Sequence, residues 1–424
     1  MNIVNIVKNL LSTRLLNKEM RKLPAVWRTG ILAFLLSVLQ SPACLAELAV
    51  QPASAQVGQD AKALPMAEST PRSGSVQPGQ DTKAQPAAVQ APRNEKTVVT
   101  LLSGQVPATG LPESLADNPQ WPNFVKTISA SWDKYVRNIS EPMMRWAQIE
   151  VPQHNKTVFY PFSGPDFATV YQMFPQAQRY VMVARQNAAM PLDLGSLTPT
   201  NTTNSLKLLT SAWQQFGSDG FFVTEYLDKY YHSSQPRIGA STFIATFLTL
   251  HGFEVNRISP IGVDENGNIH ELPAEAKVWS SIRFHASKEG RQIIVDYLKI
   301  DLSNEGLESK PENRKFVENM ANNPVLFKAA SHLPQYASFD DITQAVLHFS
   351  PLIVQDETAL AYSKLIQAHD VKLFGKFVTP HRAFQNTQTS LAQAYANRDD
   401  IRQLDFRFGY FKGGNYSLMV ATRR

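Results

Sequence analysis

The sequence predicts an α/β fold: a mixed β-sheet with helices on both faces, partly Rossmann-like, closed by a C-terminal antiparallel hairpin. Three observations predict it. Strand-like and helix-like patterns alternate between residues 157 and 251, hairpin signals dominate the middle, and two strand patterns flank Gly413-Gly414-Asn415 near residue 424. Alternating elements imply parallel strands covered by helices, and hairpins imply antiparallel additions to the same sheet.

The elements follow in order. Apolar residues at Trp121, Phe124, Ile128, Trp132, Ile139, Met143 and Trp146 recur mostly at helical spacing, with a break or kink expected at Pro142. This aromatic stripe reads as core. Thr157–Tyr160 is β-prone, 161–165 is a turn, and Asp166 can cap a helix running to Phe174. Arg179–Val183 is the next buried strand. Helical patterns recur at Leu206–Phe216, Phe222–Tyr231 and Thr242–His251. Asp264-Glu265-Asn266-Gly267-Asn268 is a hairpin turn, because Asn-Gly readily takes positive φ. Lys277–Ala286 and Arg291–Leu302 read as strands. Helices are expected at Glu312–Ala321, Asp340–Phe349 and Arg382–Asn397, and strands at Leu352–Val354, Leu404–Phe411 and Tyr416–Ala421. No second linker interrupts this stretch, so 97–424 is expected to form one body.

The N-terminal residues read differently. From Met20, a possible effective start, Arg21, Lys22 and Arg28 precede the uncharged run Ile31–Leu39, with small residues at Ser41, Ala43 and Ala46. That run is too short for a membrane span of ~20 residues and suits a secretory signal, so 1–46 is taken as the signal segment. Cleavage after Ala46 is one reading. Cleavage after Ala43 would make Cys44 the first residue, as in a lipoprotein, giving the chain an N-terminal membrane anchor. Residues 47–96 are rich in Ala, Gln and Pro and hold no aromatic residue. Ser54–Pro65 recurs as Ser75–Pro86, and this duplicated segment reads as a disordered linker.

Charge follows the same division. The chain carries 41 basic and 36 acidic residues, a formal +5. Residues 1–46 hold six of the basic residues and one acid, leaving 35 of each sign. A neutral mature chain without a basic run excludes nucleic acid as the expected partner. One cysteine excludes an internal disulfide framework.

Four blocks, Tyr160-Pro161-Phe162-Ser163-Gly164-Pro165-Asp166-Phe167, Asp301-Leu302-Ser303-Asn304, Phe327-Lys328-Ala329-Ala330-Ser331 and Val354-Gln355-Asp356-Glu357, carry a resemblance. Over roughly Lys156 to Arg424 the chain resembles a family of exported bacterial proteins of unknown function. The resemblance implies export and one α/β body, and no mechanism. Where that family carries an acidic Gly-Leu-Glu-like segment after the second strand, this chain reads Ala184-Arg185-Gln186.

The turn Ser163-Gly164-Pro165-Asp166 is the leading ligand-binding candidate. Between a buried strand and a helix N-terminus, backbone N–H groups suit an anion, but Asp166 would repel one, so capping is the competing and preferred reading. Ser163, Asp166 and Asp356 are the candidate catalytic residues. Ser163 is not in a Gly-x-Ser-x-Gly elbow. Asp356 and Glu357 follow a short strand; adjacent residues there face opposite ways, and a solvated pair is the expectation. The strand–turn–helix unit also resembles the first motif of an S-adenosylmethionine-dependent methyltransferase. However, it lacks Gly-x-Gly after the first strand and an acid after the second to hold ribose hydroxyls. The nine histidines form no His-x-x-x-His or His-Glu-x-x-His motif, so no metal or cofactor is implied.

The expected function is that of an exported, periplasmic or extracellular protein binding a small polar ligand or a cell-envelope component. The alternatives are an exported hydrolase using the Ser163/Asp166 turn, and a methyltransferase-like fold without cofactor activity.

Overall fold

A computed structural model describes residues 94–153, 156–222, 238–273, 279–379, 388–410 and 416–424. The signal segment, Cys44 and nearly all of the linker lie outside the described residues. So do most of the helix expected at Phe222–Tyr231 and the turn through Gly413.

Helices α1 (Glu95–Leu102), α2 (Glu113–Ala116), α3 (Trp121–Tyr135) and α4 (Glu141–Glu150) precede the first strand. The break expected at Pro142 is not there. Pro142 has no N–H for the carbonyl of Asn138, and the chain absorbs this through a π turn at Val136–Ser140, continuing into α4 with the proline in its first turn.

Next come β1 (Thr157–Pro161), α5 (Phe167–Met173), β2 (Arg179–Ala184), α6 (Pro199–Asp219) and α7 (Ala240–Leu250). The antiparallel segment follows as β3 (Glu254–Val263), β4 (Ile269–Glu271), β5 (Ile282–Lys288) and β6 (Arg291–Lys299). The Asp264–Asn268 turn joins β3 to β4 as expected, Asp264 Oδ1 accepting from the N–H groups of Asn266 and Asn268. The remainder is α8 (Asn304–Glu308), α9 (Pro311–Ala321), β7 (Val325–Phe327), α10 (Asp340–Phe349), β8 (Leu352–Gln355), α11 (Tyr362–Ala368), β9 (His369–Gly375), α12 (Thr389–Ala396) and β10 (Ser417–Arg423).

Among the described residues ten strands form one mixed sheet in the order β4-β3-β5-β6-β2-β1-β7-β8-β10-β9. The centre, β6-β2-β1-β7-β8, is parallel. β5, β3 and β4 extend one side antiparallel, and β10 runs antiparallel to both β8 and β9 on the other. Period-two alternation sends Val158, Tyr160, Tyr180, Met182, Leu326 and Val354 into the core built with α1 to α7. Phe159, Val181, Val183, Val325, Phe327 and Ile353 enter the opposite core with α9 to α12. Helices therefore cover both faces, and the central strands read as continuous apolar runs because both faces are buried.

The C-terminal antiparallel pair is β9–β10, and its first strand is not where the sequence placed it. Residues 404–410 are not a strand, and Phe411 lies outside the described residues. The alternation of Leu404, Phe406 and Phe408 comes from side chains packing on the core, Phe406 lying 5.7 Å from the Trp146 ring.

His251, at the end of α7, is enclosed by Trp132 and Tyr171, each 4.8 Å away between ring centroids. Burial first, and Lys288 second, lower its pKa to about 3. The native ring stays neutral while an unfolded one takes a proton below about pH 6.5, so its contribution is present above that value and lost as pH falls toward 3. Urea titrations should show wild-type stability declining by roughly 3 kcal/mol more than that of His251→Phe between pH 6.5 and 4. Equal declines would show that His251 titrates in the native state.

Candidate functional site

Chain order reverses at β1: β2 and β6 lie on one side of it, β7 and β8 on the other. In open α/β sheets the carboxyl ends of strands at such a switch point form the ligand crevice. Three loops meet here, following β1 (162–166), β7 (328–332) and β8 (356–358).

Their backbone is unusual. Six non-glycine residues have positive φ among the described residues, and four are here: Phe162 (59°), Ala329 (53°), Ser331 (55°) and His332 (59°). Each such residue costs of order 1 kcal/mol and persists only where surrounding contacts hold it. Such outliers cluster at functional sites, which makes this crevice the leading candidate on geometry alone.

The contacts that hold it are polar and buried. Asp166 caps α5, Oδ1 accepting from Thr169 N–H at 3.3 Å. Its Oδ2 accepts from the Tyr160 hydroxyl at 3.2 Å and from Lys328 Nζ at 2.8 Å. Lys328, two residues beyond Leu326, is only 5% exposed; its ammonium also donates to Thr169 Oγ1 at 2.7 Å and lies 5.9 Å from the Phe408 ring centroid. The Tyr160 phenol is held well above its ordinary pKa by burial first and by Asp166 next, so it stays a donor.

Asp356 joins through the next residue of the same loop. Its Oδ2 accepts from Ala329 N–H at 2.7 Å, and its Oδ1 from Thr358 N–H at 2.9 Å and Thr358 Oγ1 at 2.5 Å. Thr358 in turn accepts from Ala330 N–H and, through its carbonyl, from His332 N–H. Burial raises the Asp356 pKa, and these hydrogen bonds oppose the rise. Glu357 turns the other way, onto the Ser417 hydroxyl of β10, and burial followed by the charge of Asp356 pushes it up to about 8. The expected solvated pair is thus wrong: Asp356 is 0% and Glu357 3% exposed. Burial follows because β8 lies inside the sheet and the loop after it is covered. Residues 408–410 supply the cover, with Tyr410 Oη 2.6 Å from both Ala329 O and Ser331 Oγ. A Cβ on Gly409, itself at φ 78°, would stand 3.0 Å from Asp356 Oδ2, so the segment lies close against the carboxylate.

Ser163 is placed beside this cluster and bonded elsewhere. It is buried, its N–H donates to Val183 O at 2.9 Å, and its Oγ lies 2.9 Å from Gly164 O and 3.3 Å from Val183 O. Both side-chain contacts are with acceptors, which fastens the turn to the end of β2. Gly164 takes φ 53° with open space where a Cβ would be. Lys328 therefore unites Asp166 with the loop that holds Asp356, while Ser163 faces β2. Lys328 carried no role in the sequence reading; its presence in one of the four resemblance blocks was the only signal.

Among the described residues no group of three or more His, Cys, Asp or Glu side chains is arranged to hold a metal ion. No helix among them is long and apolar enough to cross a membrane. No protein-family model matches the chain, and no curated protein matches it at a significant level of similarity.

Proposed function

We propose that this is an exported protein of the periplasm or envelope that holds a small polar ligand at the crevice between β1 and β7. One observation carries the reading: the buried Lys328 and Asp356 and the partly buried Asp166, three ionisable side chains from three loops, converge at the switch point of the sheet. Such groups are expensive to bury and are kept where their charge serves a purpose, as ligand sites do. With two carboxyl groups and one ammonium, the cluster favours a ligand that presents hydrogen-bond donors.

The strand order also favours the methyltransferase-like scaffold without cofactor activity. Five parallel strands are followed by β10 running antiparallel before β9. The turn after β1 carries Ser163-Gly164-Pro165-Asp166 in place of Gly-x-Gly, and no acid follows β2 at 184–186. Lys328 pairs with Asp166 at the end of that turn.

Native mass spectrometry of the protein purified from its exporting host tests the reading, with Asp166→Asn and Ser163→Ala alongside. Wild-type protein should carry a small-molecule mass increment that Asp166→Asn loses while its circular dichroism is unchanged, since Asn still caps a helix. Ser163→Ala should keep the increment. Three folded proteins without any increment, and without a thermal shift from small polar amines, would reduce the cluster to a structural one. Intact mass and N-terminal sequencing report on export: a product beginning near residue 44 or 47 is expected, and an uncleaved cytoplasmic chain would remove that part of the proposal.

A further inference from the structure

A cavity of about 370 Å³ lies between α3, the π turn, the end of α6 and residues 404–407. Its lining residues are distinct from those of the switch-point cluster, although burial first, and the charge of Asp166 next, raise the pKa of Tyr135 in its wall. The volume falls in the range of small-molecule sites, roughly 300–1,000 Å³.

Three features shape it for one class of ligand. The first is an aromatic floor of Tyr135, Phe216 and Phe406, all nearly fully buried. The second is a cationic rim. Lys134 sits at the C-terminal end of α3, and Arg407 donates through Nη2 to Ser218 O at 3.2 Å. Neither has a carboxylate within 4 Å among the described residues, whereas Asp405, the one acid of the wall, lies 3.8 Å from Arg145. The third is a preformed wall. A Cβ on Gly217 would meet Ser131 Oγ at 2.6 Å, and one on Gly220, at φ 74°, would meet Ile139 Cδ1 at 2.4 Å. These close approaches lock α6 against α3 and the π turn, and π turns recur where a helix is bent to serve a site.

We propose that this cavity binds a small carboxylate with an aromatic or aliphatic body, the body on the aromatic floor and the carboxylate between Lys134 and Arg407. The planar guanidinium of Arg407 matches a carboxylate's two oxygens. The two cations outnumber the acid, so a neutral or cationic ligand of the same shape gains less. The site does not depend on the switch-point reading.

Isothermal titration of the mature full-length protein with benzoate and hexanoate, and with benzamide as the uncharged control, tests it. Benzoate or hexanoate should bind, benzamide should bind at least roughly 10-fold more weakly, and Arg407→Gln and Lys134→Gln should each weaken the carboxylate by about 10-fold. Both substitutions lie on the rim, so circular dichroism should not change. Asp166→Asn should leave carboxylate binding intact, which separates this site from the crevice. Equal binding of benzoate and benzamide, equal binding by the rim variants, or no carboxylate binding at millimolar concentration would each overturn the proposal.

Discussion

Lys328→Met is expected to destabilise the protein by about 3 kcal/mol at neutral pH, read as a lowered urea midpoint with an unchanged slope. Methionine keeps most of the aliphatic stem and removes the ammonium with its bonds to Asp166 and Thr169. Asp166, 14% exposed on its side chain, then keeps a negative charge with the Tyr160 hydroxyl and the Thr169 N–H but without its cation. Breaking a buried pair from one side costs more than the pair contributes, because the survivor stays desolvated. Lys328→Met/Asp166→Asn should therefore recover at least about 1 kcal/mol of the loss, since the neutral amide still caps α5. A single variant within about 0.5 kcal/mol of wild type would mean that water reaches the pair freely.

Glu357→Gln should flatten the pH dependence of stability above neutral pH. Glu357 is raised to about 8, so the native state keeps its proton from about pH 4.5 up to that value while an unfolded chain releases it. The native state then binds more protons, and its stability falls as pH rises through the window. Below pH 6.5 His251 opposes this, because its lowered pKa makes stability rise with pH there. Above pH 6.5 the decline should be visible, and Glu357→Gln should make it shallower. Asp356, raised in the same direction, leaves a residual slope. Parallel wild-type and variant profiles between pH 6.5 and 8.5 would show that Glu357 is ionised in the native protein.

The elements legible in the sequence are those decided by local physics. Asp166 before Phe167 reads as a helix cap and is one, and Asn266-Gly267 reads as a hairpin turn and makes one. The antiparallel pair at the C-terminal side was expected, but β9 was missed because His369–Gly375 carries only a weak alternation. Residues 404–410 looked like a strand because aromatic side chains buried against helices leave the same two-residue period as a paired strand. The crevice was legible in part: Ser163, Asp166 and Asp356 were singled out, and two of them hold neighbouring residues, Lys328 and Ala329, of one loop. Lys328 was not, because nothing local distinguishes a lysine after a three-residue strand from a solvated one. Its partner is 162 positions away, and only the sheet order brings the two together.

The position of β10 sets the order in which the sheet can be completed. Residues 417–423 lie between β8 and β9, which end at residues 355 and 375. Until residue 423 is available those strands have no neighbour on their facing edges, and Glu357 has no Ser417 to meet. An unfinished chain thus keeps two open edges that other chains can pair with, a hazard best held off by delaying collapse. β8 can already pair with β7, so β9 is the strand that waits: the seven residues of β10 arrive last and join it to the sheet in one step.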